Sequence, residues 1–325
     1  MYMVRQETAE VGRRTLTRLQ EWEAALSGIL RGKEEIVRLS LVSLLARGHL
    51  LIEDVPGVGK TTLAQALARS VNCEFQRLQF TSDMLPGDVL GVSIYNAREQ
   101  EFEFKPGPVF TNFLVADEIN RATPKTQSAL LEAMNEDQVT VDGRRHLLPQ
   151  PFMVVATQNP VEHHGTYPLP ESQLDRFLMR VRIGYPDLAA ERLILRNQSQ
   201  HGGEAAPPLL TAEEVLAIQA KVQSVTMDES VLNYLLAIVA RTRQHDALSL
   251  GVSPRGAQAL YRAAQAMALM DGREFAIPDD VKRLIIPVCA HRVIVNSRHG
   301  LQSPRSSGQA EQILQDLLTL IDVPL

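Results

Sequence analysis

Cysteine is almost missing from this chain, with two thiols, Cys73 and Cys289, in 325 residues. Two isolated cysteines make no disulfide framework and no metal-ligand spacing, and they suit a reducing compartment. Aromatic residues are also scarce at 5%, which predicts aliphatic cores. The longest apolar stretch, near Leu39–Ala46, is well short of the about 20 residues that a membrane-spanning helix needs. Met1–Glu7 lacks the apolar segment of a secretory signal and carries an acid early, so a cytoplasmic location without a membrane span is expected. Basic charge is not in excess. The 33 Lys and Arg against 38 Asp and Glu give a net −5, which speaks against a nucleic acid as partner. What is present is ordinary globular composition, 45% apolar and 22% charged, at a length that suits about two domains.

The first segment reads as helix, with Leu16, Leu19, Trp22, Leu26 and Leu30 at helical spacing. Gly32 separates it from a second helix over Glu34–Ala46. Short apolar runs of strand length follow at His49–Glu53, Phe75–Phe80, Phe113–Asp117, Phe152–Thr157 and Leu178–Ile183. Helical stretches lie between several of them, the clearest over Thr123–Glu136 with Thr123 as N-cap and Pro124 in the first turn. Strands alternating with helices predict an α/β fold with a parallel sheet covered on both faces. Two segments read as insertions. Met84–Pro108 holds Val92–Tyr95 and Glu101–Lys105 around a polar turn, and Val139–Leu147 alternates around Asp142-Gly143, a strong hairpin signal. After the Gly- and Pro-rich stretch His201–Pro208, everything reads as helical: Thr211–Gln223, Asp228–Arg243, Pro254–Met270, Pro278–Val293 and a short last helix at Glu311–Ile321.

Three strand ends carry chemistry. The first strand runs into Pro56-Gly57-Val58-Gly59-Lys60-Thr61-Thr62 and then a helix. Strand, glycine loop and helix form a phosphate cradle, because backbone N–H groups can turn toward an anion only where glycine permits it. Lys60 would neutralise terminal phosphates and the Thr61 hydroxyl would ligate Mg²⁺. The usual pattern has glycine six positions before the lysine; here Asp54 stands there. The second strand end is Asp117-Glu118, closing the apolar run Phe113–Ala116. Adjacent carboxylates are costly to bury. Asp117 would hold the metal shell and Glu118 would polarise an attacking water, although an acidic pair at a strand end is also a capping device. The third is Val154–Gln158 followed by Asn159, which would meet the γ-phosphate or the water; Asn159-Pro160 is equally a turn dipeptide. His163 and His164 are adjacent, so their side chains diverge on an extended loop and offer no metal site.

Residues 48–61, Ala116–Ala122, Lys125–Met134, Ala156–Pro160 and Gly165–Phe177, taken together, resemble the MoxR family of AAA+ ATPases. The likeness runs from about residue 20 to about residue 295, in order. It implies an AAA+ P-loop module with strand order 5-1-4-3-2 over residues 1–190, a linker at 191–208, an all-α lid at 209–295 and a tail with a short helix at 296–325. It implies ATP and Mg²⁺ as ligands, with Pro56, Gly57, Val58, Gly59, Lys60, Thr61, Thr62 and Asp117 binding them and Thr61 and Asp117 at the metal. Asn159 would be sensor 1. Arg255, in Gly251–Gly256, would be sensor 2, reaching from the lid to the γ-phosphate. Arg176 would be the arginine finger offered to a neighbouring subunit, with Arg180 and Arg182 as the alternatives. The resemblance further implies a homo-oligomer, usually a six-membered ring, insertions that face a central pore, and chaperone-like remodelling of client proteins. A von Willebrand factor A domain protein is the implied partner. A nucleic-acid motor and a non-hydrolysing nucleotide-binding scaffold are the competing readings; the net charge opposes the first and the Asp117-Glu118 pair the second.

Overall fold

A computed structural model describes residues 2–55, 57–159, 166–196, 208–296 and 307–324. Five parallel strands form its centre: β1 (Leu50–Glu53), β2 (Phe75–Gln79), β3 (Phe113–Asp117), β4 (Met153–Gln158) and β5 (Met179–Val181). Their order is β5-β1-β4-β3-β2, as the resemblance implies. The register sets Leu50 beside Val155 and Met179, and Phe113 beside Phe75 and Met153. It therefore gathers the carboxyl ends of the strands along one edge, the place where open α/β sheets bind ligands.

Successive strand residues serve opposite cores, as the pleat requires. Leu50, Ile52, Phe113, Val115, Met153 and Val155 face one core, while Leu51, Leu114, Ala116, Val154 and Ala156 face the other. The first core is filled by α1 (Tyr2–Ile29), α2 (Glu34–Leu45) and α3 (Lys60–Ser70). Trp22 is fully buried there, and its indole N–H donates to Ser70 Oγ at 2.6 Å. The second core is closed by α4 (Pro124–Glu136), which starts where Thr123 caps the Thr126 N–H and Pro124 fixes the first turn. Both expected insertions are hairpins, Gly91–Asn96 with Glu101–Pro106 and Gln138–Val141 with Arg144–Leu147. Phe104 of the first stacks on His146 of the second, with ring centroids 4.1 Å apart.

Helix α5 (Leu188–Arg196) covers the expected start of the linker. The run Leu-Ala-Ala-Glu-Arg-Leu has high helix propensity and overrides the nearby break in composition. Residues 197–207, like Pro56, His163 and His164, lie outside the described residues. The lid holds α6 (Ala212–Val222), α7 (Glu229–Gln244), α8 (Pro254–Met270) and α9 (Pro278–Cys289). The lid is helical, as expected, and two short strand pairs sit beside its helices. Thr226–Met227 pairs with Phe275–Ala276, and Leu248–Leu250 with Ile294–Val295. Two- and three-residue ladders are too short to leave an alternation in the sequence. Helix α10 (Ser307–Thr319) is the last element.

The lid joins the first core through Leu260, Ala263 and Met267. Gln219 Nε2 donates to Leu44 O at 2.7 Å, and ion pairs join Arg283 to Glu35 and Arg38 to Asp271. Neither cysteine is bonded: Cys73 is half-buried and Cys289 buried, and burial pushes their thiols up to about 11 and about 12. Among the described residues, no helix is long and apolar enough to cross a membrane.

Candidate nucleotide site and arginine patch

The loop after β1 enters α3 through two left-handed glycines, Gly57 at φ 85° and Gly59 at φ 97°. A side chain is disfavoured at both, which accounts for the spacing. Lys60 opens the helix, and its ammonium donates to Asp54 O at 2.7 Å across the loop. Burial lowers the Lys60 pKa from its ordinary value, while the charges of Asp54, Asp117 and Glu118 oppose that shift. Asp54, at the position usually held by glycine, spends its carboxylate on the loop frame. Oδ1 accepts from the Val55 N–H at 2.8 Å, and Oδ2 accepts from the Gly184 N–H at 2.5 Å.

A cleft of about 300 Å³ opens over this loop, lined by Gly57, Gly59, Lys60, Thr61, Thr62, Arg77, Gln79, Asp117, Glu118, Thr157 and Asn159. The three strand ends singled out in the sequence thus meet in one place. Val58 is buried beneath the loop, and Asn159 is buried at the cleft wall. Asp117 is nearly buried and doubly held: Arg77 Nε donates to Oδ2 at 2.6 Å and Thr157 Oγ1 to Oδ1 at 3.1 Å. Thr157 Oγ1 also accepts from the Glu118 N–H at 2.9 Å. Glu118 adopts the left-handed conformation at φ 56°, strained for a residue with a side chain and characteristic of functional positions. Its Oε2 takes Gln79 Nε2 at 2.7 Å and Arg121 Nε at 2.9 Å.

The donor set at the cleft floor suits Mg²⁺. A threonine hydroxyl and a carboxylate are hard oxygen ligands of the kind that share a magnesium ion with phosphates. Thr61 and Asp117 are the residues that would hold it. Among the described residues, no cluster of three His, Cys, Asp or Glu side chains offers another metal site.

Arg176 and Arg255 do not line this cleft. The Arg176 guanidinium donates to Leu131 O at 2.6 Å, and Arg255 donates to Asn135 Oδ1. Leu131 and Asn135 are four residues apart on α4, on one helix face, so the two guanidinium groups lie side by side. Burial and the neighbouring Arg255 charge pull Arg176 below its ordinary value, with Glu132 acting against them. The lid origin of Arg255 is as expected, but its direction is not: the start of α8 rests against α4 rather than over the glycine loop. Arg262, two turns further along α8, shares with Arg255 a groove of about 500 Å³ lined also by Leu232, Leu235, Leu236 and Tyr261. Among the described residues, none of these three arginines is in an ion pair. Arg180 and Arg182, by contrast, are both engaged by Glu53 and Glu311.

The AAA family profile, the ATPase family associated with various cellular activities, matches residues 49–179, and an AAA lid domain profile matches residues 240–317. The chain is 41% identical over 276 residues to Chaperone MoxR1 of Mycobacterium tuberculosis, covering 82% of this chain and 73% of that protein. The chain belongs to the MoxR family of AAA+ ATPases. It is 31% identical over 332 residues to Protein MoxR of Paracoccus denitrificans, covering 94% and 96% of the two chains. It is also 50% identical over 301 residues to YeaC of Bacillus subtilis, covering 92% and 93%. A crystal structure of an ATPase candidate from Cytophaga hutchinsonii superposes with a TM-score of 0.89 at 34% identity, over 99% of this chain and all of that one.

Sequence reasoning found the glycine loop, the acidic pair and Asn159. It missed Arg77, Gln79, Arg121 and Thr157, which hold the acidic pair. Arg77 and Gln79 alternate at the end of β2, and Gln79 sits in register with Asp117. That alternation of long polar side chains beside an acidic strand end was the available signal.

Proposed function

We propose that this chain binds ATP with Mg²⁺ in the 300 Å³ cleft and hydrolyses it at a seam between two copies of itself. The observation that carries the reading is the convergence of Gly57, Gly59, Lys60, Thr61, Asp117, Glu118 and Asn159 on one cleft. In this reading the loop N–H groups and Lys60 bind the phosphates. When bound, Mg²⁺ supplies charge neutralisation at the β and γ oxygens. Glu118, fixed by Gln79 and Arg121, orients water and draws its proton, with Asn159 beside it at the terminal phosphate. Arg176 and Arg255, in no ion pair among the described residues and away from their own cleft, offer positive charge to the triphosphate of the adjoining copy. Arginines in such roles contribute ~10³–10⁵ in rate.

The wider reading is a homo-oligomeric ring, six-membered by family habit, in the cytoplasm. There hydrolysis shifts the lid and the two hairpins to remodel client proteins, a von Willebrand factor A domain protein among them. The name of the Mycobacterium tuberculosis relative supports the chaperone role. A nucleotide-binding module at 1–190 and a lid at 209–295, joined by a linker at 191–208, are the moving parts.

The test mixes two inactive proteins. Glu118→Gln subunits keep their arginines but lose the cleft's base; Arg176→Ala subunits keep the cleft but lose an arginine. Each alone is expected to turn over ATP slowly, and the mixture is expected to recover activity at shared seams. No recovery at any ratio removes the seam from the mechanism.

A further inference from the structure

Arg176 and Arg255 of the patch come from different parts of the chain, and one carboxylate connects both. Asp175 precedes Arg176 and is held from two sides by the lid. Ser253 Oγ donates to its Oδ2 at 2.9 Å, and Arg292 Nε donates to its Oδ1 at 2.7 Å. Ser253 is the N-cap of α8, accepting from the Gly256 N–H at 3.0 Å, and Arg255 lies two residues beyond it. Arg292 is 5% exposed. Its guanidinium also donates to Asp175 O at 3.2 Å, Phe177 O at 2.6 Å and Leu178 O at 3.0 Å. The fork thus grips the main chain on both sides of Arg176.

We infer that Asp175 is a positioning residue that fixes Arg176 and Arg255 in one relative placement, so that a single anion on an adjoining copy meets both. The inference rests on the seam reading above and adds to it the group that sets the arginines' geometry. An arginine side chain has many rotamers, and a loop and a helix start from separate segments would otherwise place two of them independently. A shared carboxylate, half-buried between a helix cap and a buried, fully engaged arginine, removes that independence. Asp175 lies outside the residues that line the cleft, so its work falls on the donated arginines rather than on nucleotide binding in its own subunit.

The complementation assay decides it with the full chain. Asp175→Asn keeps the shape and removes the charge. It is expected to lower kcat by about tenfold to a hundredfold, since misplacing a reacting group by about 1 Å can cost ~10², while affinity for a fluorescent ATP analogue stays within about twofold. Mixed with Glu118→Gln subunits, it is expected to regain activity, because its own cleft is intact and the other subunit's arginines are correctly placed. Mixed with Arg176→Ala subunits, it is expected to regain none, since both are defective on the same side of the seam. Asp175→Glu is expected to restore part of the loss. If Asp175→Asn turns over at the wild-type rate, or fails to recover with Glu118→Gln, the inference is overturned. If Arg176→Ala itself fails to recover with Glu118→Gln, the seam reading falls instead, so the two failures are distinct. Should Asp175→Asn not fold, Ser253→Ala removes one of the two tethers and must show the same pairing behaviour with a smaller loss; recovery with Arg176→Ala rather than Glu118→Gln would equally overturn the assignment.

Discussion

The cleft and the arginine patch are electrostatic opposites. In the cleft each acidic side chain already has a cation: Asp117 has Arg77, Glu118 has Arg121, and Lys60 stands among them. In the patch Arg176, Arg255 and Arg262 cluster without an ion pair among the described residues, held only by a carbonyl and an amide. A chain that balances one charged region internally and leaves the other open has a half-finished site on its surface. The open half asks for an anion from outside, and the closed half must trade its internal cations for incoming ones.

The sharpest break of this comparison is Lys60→Ala. It should cut nucleotide affinity by about a hundredfold or more, given that a buried charge-assisted pair to phosphate is lost. Calorimetry checks it, and unchanged affinity would remove the cleft from the argument. Glu118→Gln should leave ATP binding in place and slow hydrolysis by roughly 10²–10⁴, the range for loss of a general base; single-turnover measurement separates the two. Arg255→Ala should act on the other side, lowering turnover by about tenfold or more with nucleotide affinity of the same subunit little changed. A loss of affinity equal to the loss of turnover would place Arg255 over its own cleft. The smallest effect belongs to Arg77→Gln. Asp117 then lacks its cation in the empty protein, so the melting temperature should drop by roughly 1–2 °C, as for about 1 kcal/mol in a chain of this size, and adding Mg²⁺ with nucleotide should close the gap. A drop of the same size with and without Mg²⁺ would show that Arg77 does not stand in for the metal.

The parts of this molecule that were legible in the sequence are those whose physics is local. Gly57 and Gly59 are demanded by backbone angles within one turn, and the apolar run ending in Asp117-Glu118 is demanded by a buried parallel strand. Thr123 caps the helix that directly follows it. The groups that stayed hidden act across the register or across the chain. Arg77 reaches Asp117 only because β2 pairs with β3, and Arg292 meets Asp175 from 117 positions away. Arg255 shows the intermediate case. Its place in a helix start was readable, but its direction depends on how α8 sits against α4, a packing outcome that no window of residues contains.

The two native thiols have a practical consequence. With their proton affinity raised by burial, Cys73 and Cys289 stay protonated at neutral pH, and thiolate is the form that attacks maleimides and disulfides. A single cysteine placed on the exposed turn at Arg98, at the tip of the first hairpin, would therefore outcompete both. The hairpin could be tagged with a dye or a crosslinker in an otherwise unaltered chain, and its travel during turnover followed directly.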